Sequence, residues 1–285
     1  MPKSWPPRVA AFVVCLAALC PLPALAAPSI TLIDVGQGDA IWIHDDPDID
    51  ILVDAGPRKA SDVVLAQLAG IPDLDVLLWT HAHEDHIGGV CDVIGAMPVQ
   101  QVLWNGFDYN SATFNDTLDL ISATRIPSAT LTAGDTLTWG DYDILVLHPD
   151  RQYRNTNDCS IVLRLTYGET GILLTGDAEW DSEQAMLAGS ADLACEILKV
   201  GHHGSSSSTY SAWLDGVQPE TAIVSVGTLN RYGHPSASVL RRLGSRGIDT
   251  YRTDRHGTVT IALDGDGYTL ESTRAPVCVP LLIVD

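Results

Sequence analysis

Basic residues are scarce in this chain. Its 285 residues carry 16 Lys and Arg against 36 Asp and Glu, a formal net charge of −20. A field of that sign repels polyanions and excludes tight binding to long duplex nucleic acid unless a local basic patch offsets it. Arg151, Arg154, Arg231, Arg241, Arg242, Arg246, Arg252 and Arg255 are the residues available for one. No cysteines are spaced as Cys-x-x-Cys, which excludes the common thiolate zinc modules. Beyond residue 26 no apolar run is long enough to cross a bilayer. Internal repeats, low-complexity tracts and linkers are also lacking, which excludes solenoids and strings of small modules.

Residues 1–26 stand apart. Lys3 and Arg8 form a positive start, residues 9–19 an apolar run too short for a comfortable span, and Ala24-Leu25-Ala26 a small-x-small cleavage site. This pattern predicts a secretory signal peptide over 1–26 and one domain over 27–285, exported to the periplasm or the extracellular medium. Pro21 and Pro23 interrupt the run and argue against an uncleaved anchor. Losing Lys3 and Arg8 would take the net charge from −20 to −22. Cys91, Cys159, Cys195 and Cys278 would remain, an even set that permits two disulfides or four buried thiols.

The chemistry concentrates after one apolar run. Residues 75–80 read as a buried strand, followed by His81-Ala82-His83-Glu84-Asp85-His86 and then Ile87-Gly88-Gly89. His81 and His83, two apart in extended or turn backbone, can reach one point. Asp85 and His86 approach the same point from the start of a predicted helix over 85–96. Imidazole and carboxylate together suit zinc, and also manganese or iron. Three later segments have the same form, a strand ending in glycine and polar side chains. They are Thr175-Gly176-Asp177, Lys199-Val200-Gly201-His202-His203-Gly204 and Asn230-Arg231-Tyr232-Gly233-His234-Pro235. Taken alone, Asp177 can equally cap the helix predicted over 180–188, and His234 can be a turn residue.

Strands are predicted at 29–35, 40–44, 49–54, 75–80, 99–104, 136–138, 142–147, 160–166, 171–175, 195–200, 221–226, 250–252, 259–263 and 268–272. Helices are predicted at 60–68, 85–96, 113–124, 180–188, 208–214 and 236–243. Each half of the chain starts β-rich and then alternates strand with helix. Two such halves stack as sheet on sheet with helices outside, an α/β (α+β) four-layer αββα sandwich.

In order along the chain stand Asp34-Val35-Gly36-Gln37-Gly38-Asp39-Ala40, Val53-Asp54-Ala55-Gly56, the His-x-His-x-Asp-His stretch, Asn157-Asp158-x-Ser160, Thr175-Gly176-Asp177, residues 198–205, Tyr232-Gly233-His234-Pro235 and Thr253-Asp254-x-x-Gly257. This ordered set, covering nearly all of 29–263, resembles the metallo-β-lactamase-like domain of the ComEC competence proteins and their freestanding relatives. The resemblance implies two divalent metal ions, zinc or manganese, held by His81, His83, Asp85, His86, Asp177 and His203, with Asp177 bridging them. It implies catalytic roles for Asp85, orienting a water, and for His202, although the roles of His202 and His203 can be exchanged and His234 can complete the metal set. Asn157, Asp158, Ser160, Lys199 and His234 are the residues expected against a substrate phosphate.

One departure stands out. The fold usually places another histidine in the loop before the bridging Asp, and residues 155–160 contain none. Asn157 or Asp158 falls near its place, and His148 is the nearest histidine upstream. The function implied is a secreted metal-dependent hydrolase, a phosphodiesterase or nuclease acting on a phosphoester or DNA. Hydrolysis of a lactone, β-lactam or phosphocholine ester is the alternative within hydrolases. A non-catalytic DNA-uptake accessory is the alternative outside them.

Overall fold

The computed structural model describes residues 28–45 and 49–274. The predicted signal peptide and Cys278 lie outside the described residues. The first half of the chain builds β1 (Ser29–Leu32), β2 (Ala40–Asp45), β3 (Ile49–Ala55), α1 (Ser61–Gln67), β4 (Leu74–Leu78), α2 (Glu84–Ile87), α3 (Val90–Ala96), β5 (Val99–Trp104), α4 (Ala112–Thr124) and β6 (Ser128–Thr130). The second half builds β7 (Thr136–Trp139), β8 (Tyr142–His148), β9 (Val162–Tyr167), β10 (Thr170–Leu174), α5 (Trp180–Ala188), β11 (Ile197–Lys199), α6 (Ser211–Val217), β12 (Thr221–Val224), α7 (Ala237–Gly244), β13 (Asp249–Arg252), α8 (Thr253–His256), β14 (Val259–Leu263) and β15 (Tyr268–Ser272).

The strands form two sheets, in the orders β15-β14-β1-β2-β3-β4-β5-β6 and β13-β12-β11-β10-β9-β8-β7. Side chains alternate across each strand, so a central strand feeds two cores. Ile51 and Val53 of β3, Val76 and Leu78 of β4, Ile197 of β11 and Ile223 of β12 enter the core between the sheets. Leu52 and Leu77 pack outward under α1 to α4, beside Val64, Ile87, Val93 and Phe114. Leu198, Ala222 and Val224 pack outward under α5 to α7, beside Met186, Trp213 and Leu243. Each large apolar side chain fully buried this way contributes about 1.5–3 kcal/mol. Helix, sheet, sheet and helix make the four-layer αββα sandwich expected from the sequence.

Three differences follow from contacts distant in sequence. The last hairpin does not stay with the second half: β14 pairs antiparallel with β1, Val259 opposite Leu32, and extends the first sheet. The helix predicted over 85–96 is two, α2 and α3, broken at Gly88-Gly89. A Cβ on Gly89 would collide with the carbonyl of Ala55, so the chain here must pass against the end of β3. The short strand β6, exposed along its length, has no apolar signature and forms by pairing with β5. Cys91, Cys159 and Cys195 are free thiols, so none of the three bridges to another.

The strand directions set the site. β3 to β6 run parallel, as do β10 to β13. The loops leaving the carboxyl ends of β3, β4, β10, β11 and β12 therefore gather along one edge of the sandwich, where open α/β sheets bind their ligands.

Candidate metal centre

Asp177 stands at the centre. It follows β10 after Gly176, which adopts φ +50 and has Thr80 and Ser160 packed where a Cβ would lie. Four imidazoles point their Nε2 atoms at its carboxylate. His86 reaches Oδ1 at 3.3 Å, and His203, His202 and His81 reach Oδ2 at 3.5, 3.8 and 3.9 Å. Asp177 does not cap α5: that is done by Glu179, in a capping box with Ser182, and by Asp158.

Each imidazole is aimed by what holds its other nitrogen. Nδ1 of His86 donates to Asp54 Oδ2 at 2.7 Å, and the same carboxylate accepts from the Thr80 amide and hydroxyl at 2.7 and 2.8 Å. Nδ1 of His203 donates to the carbonyl of Ser225 at 3.0 Å, and Nδ1 of His202 to Glu179 Oε1 at 2.6 Å. His202 and His203 both adopt left-handed backbone, φ +46 and +53, between Gly201 and Gly204. Two successive non-glycine residues in that region are costly, and the tethers of both side chains hold them there. His81 Nδ1 lies 3.3 Å from Ser160 Oγ, and its Nε2 lies 3.0 Å from His83 Nδ1. Asp85 Oδ2 reaches His203 Nε2 at 3.4 Å.

The donor set fits metal ions. His86 Nε2, His203 Nε2 and Asp177 Oδ1 are buried without a hydrogen-bond partner, a costly state for polar atoms unless a cation satisfies them. Ligand atoms of His81, His86 and Asp177 lie within 4.8 Å of one another, as do those of Asp85, His86 and His203, and those of Asp39, Asp177 and His203. Asp177 belongs to two of these groups, as a carboxylate shared by two cations must. His83 stands beside His81 at the cleft.

Charges in the cradle are settled by mutual pairing. Burial works against a charged His86, but Asp177 and Asp54 outweigh it and hold its imidazole well above the usual range. Burial also opposes a charged His203, and Asp177 and Asp39 overcome it in the same way. Burial drives His81 well below the usual range, and charged His86 adds to that. Burial pushes Asp85 up, yet the nearby His203 imidazole and the charge of His86 hold it at about 2.

Of the residues expected against substrate, the cleft receives two. It measures about 300 Å³ and is lined by Asn157 and His234 together with Gln37, His83, Glu84, Asp85, Asp177, His202, His203 and Tyr232. Lys199 is not there. At 1% exposure its ammonium lies beneath the cradle, ion-paired with Asp39 and donating to the carbonyl of Gly176 at 2.7 Å. Asp158 is buried and accepts from the amides of Glu179 and Ser182 at the start of α5. Ser160 is buried and accepts from the amide of Asp177 at 3.0 Å. These three were expected at a phosphate and instead lie beneath the cleft, supporting the residues that line it. His148 donates to the carbonyl of Asp158 at 2.7 Å and does not replace the absent loop histidine.

Asp39, Asp54 and Glu179 belong to the site, although the sequence reading gave them no role. Asp39 stands between Gly38 and β2, and Asp54 lies within β3 two residues before Gly56; both fall in the ordered set of motifs, but nothing local marks their approach to His86. Glu179 accepts from His202, Ser207 and Asn157 on one oxygen and has no local signature.

The geometry has its counterpart in known proteins. The chain is 32% identical to ComE operon protein 3 of Bacillus subtilis over 81% of its length, and 28% identical to competence protein ComA of Neisseria gonorrhoeae over 86%. It spans about a third of each of those relatives, 32% and 34%. Both are competence proteins, in accord with the ComEC resemblance read from the motifs. The metallo-β-lactamase-fold protein YhfI from Bacillus subtilis superposes with a TM-score of 0.52 at 16% identity, covering 79% of this chain and 95% of YhfI. The Metallo-beta-lactamase superfamily model matches residues 33–228, the span that carries β2 to β12, the His-x-His-x-Asp-His stretch, Asp177 and His203. Two stacked sheets, a carboxylate ringed by imidazoles at their shared edge, and this match together place the chain in the metallo-β-lactamase superfamily, whose members are in the main metal-dependent hydrolases.

Proposed function

We propose that this chain is an exported, two-cation phosphodiester hydrolase acting on nucleic acid. The carrying observation is Asp177, buried, with four imidazole Nε2 atoms within 3.9 Å of its carboxylate at the floor of an open cleft. Two divalent cations, zinc or manganese, held by His81, His83, Asp85, His86, Asp177 and His203, would acidify a water and polarise a phosphoryl group. The remaining work falls to side chains. Asp85, at the wall of the cleft, can orient a water by accepting its hydrogen bond. His202, fixed through Nδ1 by Glu179, presents Nε2 to the cleft, where it can donate to a phosphate oxygen or protonate the departing one. Asn157 and His234 line the cleft beside His202 and can orient the phosphate.

The names of the relatives, both competence proteins, favour DNA among phosphodiesters. The net charge of −20 opposes duplex binding over a broad surface, so recognition is confined to the cleft and its rim. The test is turnover of single- and double-stranded oligonucleotides, and of bis(p-nitrophenyl) phosphate, by the chain loaded with zinc or manganese. Metal-dependent cleavage that chelator abolishes is expected. No turnover with either metal on any of these substrates would overturn the proposal.

A further inference from the structure

The metal cleft does not end at the metal ligands. It opens past Asp85 and Tyr232 into a larger groove of about 820 Å³ between the 34–37 turn and the 227–232 loop. That loop carries two of the four large hydrophobic side chains exposed among the described residues. Tyr232 is 54% and Leu229 98% exposed. Exposure of this kind beside a polar cleft marks a binding surface. The loop is also built to hold its shape. Asn230 Nδ2 donates to the carbonyls of Gly227 and His234 at 3.0 and 2.7 Å, and its Oδ1 accepts from the amides of Tyr232 and His234 at 3.2 and 3.0 Å.

Tyr232 is coupled to the chemistry through a column of rings. Its ring stacks on His234, centroids 5.7 Å apart and planes 18° apart. His234 meets His202 edge-on at 5.5 Å, and His202 faces Asp177. Arg231, on the surface, reaches the Tyr232 hydroxyl at 2.8 Å, and Lys59 lines the same groove. Each of the three acidic residues of the groove has another partner: Asp34 pairs with Arg274 at 2.8 Å, Glu84 accepts from the amide of Arg58, and Asp85 reaches His203 at 3.4 Å. An exposed ring, an exposed guanidinium that lies over it at 5.0 Å and can swing out to a phosphate, and a metal-holding cleft one column away are the parts of a site for an unpaired base with its phosphate.

We propose that Tyr232 is a nucleobase-stacking platform, with Arg231 on the adjoining phosphate, and that it selects single-stranded over duplex nucleic acid. A base buried in a duplex offers no free face to Tyr232, whereas a single strand can lay one base on it. The flanking phosphate is then directed toward Asp177 and His202. The proposal rests on the phosphodiesterase reading for its substrate class, but its evidence is binding, not turnover.

The experiment measures binding of fluorescent single-stranded phosphorothioate oligothymidylate to the metal-loaded full chain by anisotropy. The same oligomer lacking bases and the matching duplex serve as comparisons. Tyr232→Ala is expected to weaken oligothymidylate binding about fivefold to a hundredfold, and Tyr232→Phe to keep it within about twofold. The abasic oligomer should bind the wild type weakly and lose nothing further in Tyr232→Ala. Arg231→Gln should reduce the salt slope for oligothymidylate by about 0.7. Equal losses on abasic and base-bearing strands, or no loss on either, would overturn the platform. So would a duplex bound as tightly as the single strand. Base-dependent binding without cleavage of a phosphodiester oligomer would remove the hydrolase reading and leave the platform. Cleavage without base-dependent binding would do the reverse.

Discussion

The floor of the cleft and its rim are built on opposite principles. The floor, made of Asp39, Asp54, His81, His86, Asp177, Lys199 and His203, is buried, and every charge on it answers another. The rim, residues 227–234 with Lys59, is mostly exposed and is held by the Asn230 side chain bonded to its own backbone. A floor of this kind demands cations and tolerates no loss of partner. A rim of this kind can change its contacts without disturbing the fold. The difference teaches which substitutions should erase activity and which should only redirect it.

The sharpest way to break that contrast is Asp177→Asn. An amide cannot share two anionic oxygens between cations, so metal content measured by elemental analysis should fall. Turnover should drop on the order of a thousandfold or more. A variant that keeps both metals and cleaves normally would remove Asp177 from the centre. Next in size is Lys199→Met. Asp39 would be left buried without its ammonium partner, and removing one side of a buried pair costs about 3–5 kcal/mol. The loss should show in urea unfolding of the metal-free chain and shrink when metal is added, because Asp39 lies among the candidate ligands. Equal destabilisation with and without metal would mean that Lys199 serves the fold alone.

Asp54→Asn probes aim rather than ligation. The carboxylate touches His86 on the nitrogen turned away from Asp177, and losing such a support typically costs about 10–100-fold in metal affinity. A chelator competition titration reads it. An unchanged affinity would show that Thr80 and the backbone suffice to orient His86.

The same contrast explains what the sequence made legible. The first-half candidate ligands sit within six residues because one strand end and one helix start deliver them, so spacing alone drew out His81, His83, Asp85 and His86. The second half gives one candidate ligand per strand end, and Asp177 and His203 were readable only through their order along the chain. Asp39 and Asp54 meet His86 through the pairing of β3 with β4 and the packing of the Gly38 turn on Asp85, which no local pattern encodes. Lys199 misled for a related reason. Strand alternation tells which face a side chain enters but not how deep it lies, and an ammonium among carboxylates resembles a phosphate contact until its burial is seen. The αββα layering was legible from the doubled halves. The return of β14 to β1 was not, since antiparallel pairing of the two chain ends leaves no mark on hydrophobic period.

A substitution away from the floor isolates the cause of the floor's behaviour. Asp39 and Glu183 are both buried carboxylates, yet they end in opposite states. Burial raises Asp39, but Lys199 and His203 outweigh it and hold it at about 2. Glu183, at the back of α5, meets mainly the amides of Thr209 and Tyr210, and burial pushes it up to about 8. The folded chain therefore holds the Glu183 proton more tightly than the unfolded chain, whose ordinary value is 4.5. Its contribution to stability is fully present below that value and is lost as pH rises through about 8. Glu183→Gln, which cannot titrate, should flatten this fall when urea unfolding is followed from pH 5.5 to 8.5. If wild type and variant keep a constant difference across that range, amide donors alone are enough to hold a buried carboxylate ionised here, and the cations of the floor are needed for metal binding rather than for charge.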